Sequence, residues 1–89
     1  MSAEIQSMLV LSTAHLTEET CNNHLHTTTA VSAYEKMSYG WFVYAKHSLD
    51  RNLPEDLTAC VHRAKDCNAE WIMFDRDGPE LEGLPIYDW

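Results

Sequence analysis

Apolar residues fall along this chain in short unbroken runs, separated by two stretches of helical spacing. Met8-Leu9-Val10-Leu11 is one such run, ends in Ser12-Thr13, and fits a strand buried on both faces. From Leu16 to Cys21, Thr17 takes the N-cap position, Glu18 and Glu19 suit the positive end of a helix dipole, and Leu16 can staple onto Cys21. This predicts a first helix over 17–26, ending at the β-branched Thr27-Thr28-Thr29. Ala30 to Lys36 alternates loosely and predicts an edge strand. Met37-Ser38-Tyr39-Gly40 predicts a turn, and the aromatic, β-branched Trp41-Phe42-Val43-Tyr44 predicts a strong strand, so the pair forms a hairpin. His47 to Asn52 reads as a polar loop.

The second helix is the clearest element. Pro54 stands at its first position with Glu55 and Asp56 behind it, and Leu57, Cys60, Val61, Ala64 and Cys67 then share one face, which predicts a helix over 54–67. Asn68 suits a left-handed cap. Trp71-Ile72-Met73-Phe74 forms the core of a last strand over 70–74, broken at Asp77-Gly78-Pro79. The apolar segment Leu84 to Trp89 is expected to dock.

The order β-α-β-β-α-β predicts a single α+β domain over 1–89, ferredoxin-like, with two helices on one face of a four-stranded, mainly antiparallel sheet. In that plan the unbroken strands one and three are central, and strand one lies between strands three and four.

Composition narrows the function. At 89 residues, 45% apolar and 10% aromatic, the chain can bury a core but has no room for a separate cofactor domain. Its net charge is -8, and residues 69–89 hold six acids against Arg76 alone, so direct contact with DNA or RNA is disfavoured and a protein carrying a basic groove is the expected partner. The three cysteines are odd in number and widely spaced, with no CxxC; Cys60 and Cys67 read as small core hydrophobes, and a reducing cytoplasm is the expected location. The N-terminus has neither a basic region nor a long apolar stretch, so no signal peptide and no membrane span are expected.

Four stretches are familiar together: Leu11-Ser12-Thr13-Ala14-His15 with Thr17-Glu18-Glu19-Thr20; Tyr39-Gly40-Trp41-Phe42-Val43-Tyr44; Trp71-Ile72-Met73-Phe74-Asp75-Arg76-Asp77-Gly78; and Leu84-Pro85-Ile86-Tyr87-Asp88-Trp89. Through them the chain resembles the uncharacterised family called domain of unknown function 5983, outside the segment from Asn22 to Ser38. The resemblance implies a small protein of prophages, plasmids or other bacterial mobile elements and supplies no catalytic residues. Mobile elements use small acidic proteins against host defences, which makes an anti-CRISPR or anti-restriction role the expectation by analogy.

Candidate chemistry is sparse. Phe74-Asp75-Arg76-Asp77-Gly78 resembles the first motif of haloacid-dehalogenase phosphatases, but too little chain follows to supply the other parts, and a turn is the plainer reading. Asp75, Asp77, Glu80 and Glu82 could cup a cation, yet their spacing is not that of an EF-hand, so no metal and no cofactor are expected. His15 and His47 follow strands one and three, which the ferredoxin-like plan puts at one end of the sheet as a polar site; Asp75 and Asp77 then belong at the other end, which disfavours a His–Asp pair. One sheet face stays open, and Trp41 or Tyr44 on it would bind a partner. The expected function is therefore a non-enzymatic protein-binding accessory. It docks a host nucleic-acid-binding effector through Asp75, Asp77, Glu80 and Glu82 with Trp41 and Tyr44. The alternatives are a small metal-dependent or His-based enzyme, and a self-associating regulatory module, a homodimer through the open face.

Overall fold

The computed structural model describes residues 5–27, 32–36, 40–46 and 53–88. Residues 37–39 of the turn predicted over 37–40, the loop at 47–52 with His47, residues 30 and 31 of the second strand, and Trp89 lie outside the described residues, while Gly40 belongs to a strand. Strands β1 (Met8–Ser12), β2 (Ala33–Lys36), β3 (Gly40–Tyr44) and β4 (Trp71–Asp75) form one mixed sheet. A 3-10 turn (Thr13–His15), a π turn (Thr20–His24) and a single α turn, α1 (Leu25–Thr27), connect β1 to β2. One full helix, α2 (Glu55–Asp66), connects β3 to β4.

The strand order is β1-β4-β3-β2, with β1 parallel to β4 and the other pairs antiparallel. This corrects the ferredoxin-like expectation: β1 is an edge, and β4 lies between β1 and β3. The reason lies in the two apolar runs. Trp71 to Phe74 is as unbroken as Met8 to Leu11, and it is the one enclosed on both sides. Met8 and Val10 are apolar yet 43% and 36% exposed, because the open face of this sheet is itself apolar.

The first helix is met only in part: residues 18–27 wind helically, but as a π turn over Thr20–His24 between short α turns. Thr17 does cap as predicted, its Oγ1 accepting the Thr20 N–H at 3.2 Å. The turns that follow are π-wound because the Trp41 indole Nε1–H donates to the Cys21 carbonyl at 3.0 Å. An α-helix would use that carbonyl for the Leu25 N–H. The Leu25 N–H instead bonds to the Thr20 carbonyl, one residue further back.

In α2 the apolar spacing works as predicted up to Ala64: Leu57, Cys60, Val61 and Ala64 are buried, whereas Cys67 stands beyond the last turn and is exposed. Asn68 takes the left-handed conformation at φ 59°. The buried face of the sheet, with Leu11, Ile72, Phe74, Val43 and Trp41, packs under α2 and the 13–25 segment. Asp56, buried in the first turn of α2, ties these layers together: its carboxylate accepts the Thr17 N–H at 2.7 Å and the Thr20 hydroxyl at 3.0 Å.

Candidate functional site

Side chains alternate across a strand, so the register alone sorts the sheet into two faces. On the face away from α2, three rows cross the strands. Met8, Trp71 and Tyr44 form the first; Val10, Met73, Phe42 and Tyr34 the second; Ser12, Asp75, Gly40 and Lys36 the third. Seven of these side chains are apolar or aromatic, and no described segment covers them. Tyr34 is the most open, at 59%. The phase of the ladder is fixed by the Ala45 N–H donating to the Glu70 carbonyl at 2.8 Å. That phase makes Tyr44–Trp71 and Phe42–Met73 non-hydrogen-bonded pairs, whose side chains lie closest. Accordingly the Tyr44 and Trp71 rings meet edge-on at 4.8 Å, and Tyr34 leans on Trp71 at 6.1 Å. The Trp71 indole N–H donates to the Gln6 side-chain carbonyl. The rings close on one another, and the result is an aromatic and thioether platform.

One end of the platform carries its charge. Gly40 has no side chain, so the Lys36 ammonium reaches across β3 to the Asp75 carboxylate at 2.9 Å. The Asp77 N–H also donates to Asp75 at 2.8 Å. These two contacts, the backbone one first, hold the Asp75 carboxyl below the usual carboxylate range. The ionised carboxylate is thus favoured in the folded state. Its stabilising contribution is fully present above about pH 4 and is lost as pH falls through the lowered folded-state value. We expect Asp75→Asn to remove this part of the acid limb, measured as the unfolding midpoint between pH 2 and 6; an unchanged acid limb would contradict it.

The residues singled out from the sequence scatter around this platform. Tyr44 and Asp75 lie on it. Trp41 lies on the opposite face at 5% exposure, inside the core, so it offers a partner no surface. Asp77 sits in the turn after β4. Glu80 and Glu82 lie on the C-terminal segment, which leaves the sheet for the helical layer: Leu81 and Leu84 pack on the core, and Arg63 of α2 donates to the Glu82 carbonyl at 3.4 Å. Of the segment Leu84 to Trp89 that was expected to dock, Leu84 packs on the core and the Tyr87 N–H donates to the Ala14 carbonyl at 2.8 Å, whereas Ile86 is exposed.

The placement of His15 is corrected with the topology. β1 and β4 run parallel, so Asp75 and His15 leave the same end of the sheet, not opposite ends. β3 runs the other way and ends beside the start of β4, so its C-terminus points away from His15; His47 itself is outside the described residues. The buried His15 ring bonds the Pro85 carbonyl through Nδ1 and accepts the Leu81 N–H at Nε2, both at 2.8 Å. Both ring nitrogens are in use, and the ring clamps the C-terminal segment. Burial pushes the Cys60 thiol up to about 12, which keeps it protonated and a poor nucleophile. Among the described residues, no group of three His, Cys, Asp or Glu side chains converges as a metal site. No helix among them is long and apolar enough to cross a membrane.

The sequence reading missed Met8, Val10, Tyr34, Phe42, Trp71 and Met73. Their alternation is visible in the sequence, but which parity faces outward depends on the strand order.

The C-terminal domain model of a family of unknown function, DUF5983, matches residues 8–89. No curated protein and no solved structure matches the chain.

Proposed function

Because the chain belongs to the DUF5983 family of unknown function, we propose its role from its own surface: a non-enzymatic protein-binding accessory that docks through the open sheet face. The observation that carries this is the platform of seven apolar side chains on the sheet's second face. Monomeric proteins rarely leave so contiguous an apolar patch bare, and a rim of polar groups marks such patches as interaction sites. Met, Trp and Tyr are the residue types enriched at protein interfaces. A nucleic acid is the poorer partner, since among the described residues Lys36 is the platform's only cation and is already engaged by Asp75. The acidic C-terminal segment, with Glu80 and Glu82 exposed, adds steering toward a basic target.

The most concrete form of this reading is a mobile-element antagonist of host defence, acting on a nucleic-acid-binding effector. Expression in a bacterium carrying a CRISPR or restriction system is expected to raise the plating of a phage that the system restricts. Tyr34→Asp, which replaces the most exposed ring of the platform with a carboxylate, is expected to return plating to the restricted level. It removes one cross-strand aromatic contact and should cost on the order of 1 kcal/mol, so plating is compared with the folded fraction of the variant. Unchanged plating across a panel of such systems would overturn the antagonist reading.

A further inference from the structure

The two edges of this sheet are unlike. β2 presents Glu35 and Lys36, charges of the kind that keep edge strands from pairing with strangers. β1 presents Met8-Leu9-Val10-Leu11-Ser12, and no Lys, Arg, Asp or Glu occurs from Ile5 to Thr17. The backbone phase of β1 is set by the Trp71 N–H donating to the Ser7 carbonyl at 3.1 Å. In a parallel ladder this turns Ser7, Leu9 and Leu11 toward β4 and turns Met8, Val10 and Ser12 outward. The outward Ser12 N–H is taken by the Pro79 carbonyl at 2.8 Å, so the C-terminal segment closes that rung alone. No described residue takes the outward backbone groups of Met8 and Val10.

We propose that this edge pairs with β1 of a second copy of the chain, antiparallel about a two-fold axis through Leu9. The geometry is self-complementary. Met8 of each copy meets Val10 of the other, and each such pair exchanges both of its N–H···O=C bonds. Pairing centred on Val10 would need the Ser12 rung, which Pro79 occupies; pairing centred on Leu9 leaves it in place. The two Leu9 side chains then become a close, non-hydrogen-bonded pair on the covered face. Leu9 is half-buried there and packs against the core, so its remaining apolar surface gains a partner. The charge distribution agrees: two chains of net charge -8 meet along their uncharged strand. The contact is short and falls at the small end of protein interfaces, so the dimer is a weak one. It uses backbone at the edge of the sheet and is independent of docking on the open face.

The test is amide exchange of the whole chain at low and high protein concentration, read with sedimentation. Met8 and Val10 amides are expected to gain protection as concentration rises, while those of Leu9 and Leu11, bonded to β4, are protected throughout. Val10→Pro removes one outward N–H without touching the β1–β4 ladder, a position where an edge strand accommodates proline. It is expected to sediment as a monomer at every concentration, whereas Val10→Thr and Tyr34→Asp still dimerise. A dimer that survives Val10→Pro, or Met8 and Val10 amides whose exchange ignores concentration, would overturn the proposal. If Val10→Pro fails to fold, the wild-type exchange decides alone.

Discussion

Gly40→Ala is expected to cost several kcal/mol, a large share of the stability of a domain this size. A Cβ at Gly40 would sit 1.7 Å from the Phe74 carbonyl oxygen and 2.6 Å from its carbon. Both atoms are backbone of the central strand, so no rotamer change relieves the overlap and β3 must part from β4. The new methyl would also stand in the gap that Lys36 crosses to reach Asp75. At roughly 0.05–0.15 kcal/mol per residue, a chain of 89 residues has about 4–13 kcal/mol in all. Urea unfolding of the variant should show a midpoint far below wild type or no folded baseline. A loss under about 1 kcal/mol would mean that the β3–β4 register is wrong.

Trp41→Ala is expected to cost about 3–5 kcal/mol, the range for a buried tryptophan reduced to a methyl. The indole is 5% exposed, meets the His26 ring edge-on at 4.8 Å, and donates to the Cys21 carbonyl. Trp41→Phe separates packing from hydrogen bonding. It keeps most of the ring, and it returns the Cys21 carbonyl to the Leu25 N–H, so the π turn can relax toward an α-helix. That variant should lose about 1–2 kcal/mol, since one buried hydrogen bond and part of a ring are removed. Amide exchange at Leu25 reports the change of partner. Partner binding, corrected for the folded fraction, should be the same in both variants; a specific loss of binding would put Trp41 at the interface after all.

Local structure was well written into the residues, and long-range order was not. The spacing from Leu57 to Ala64, the Thr17 cap, the left-handed Asn68 and the aromatic run at Trp41 each reflect neighbours a few positions apart. The strand order depends on which of two equally apolar runs is enclosed, and an apolar open face makes the edge strand β1 look central. The π turn was hidden because its cause, the Trp41 indole, lies 20 residues from Cys21. Asp56 reads in sequence as a helix-dipole acid, while its partners Thr17 and Thr20 lie 39 and 36 residues away. Little of the open-face platform was legible: of its seven apolar side chains Tyr44 alone was named, Trp41 sat on the wrong parity, and the others needed the register.

The most direct measurement is the affinity of wild type and two variants for a target purified through wild type from a defence-carrying host. Met73→Lys puts a charge at the middle of the platform, and its long aliphatic stem still covers neighbouring apolar surface when the ammonium reaches water. It is expected to cost 2 kcal/mol or more of binding, roughly a thirtyfold loss, as a central anchor does. Glu80→Lys with Glu82→Lys should alter the association rate and its salt dependence with a smaller change in affinity. The reverse result, full affinity in Met73→Lys and lost affinity in the tail variant, would contradict docking through the open sheet face.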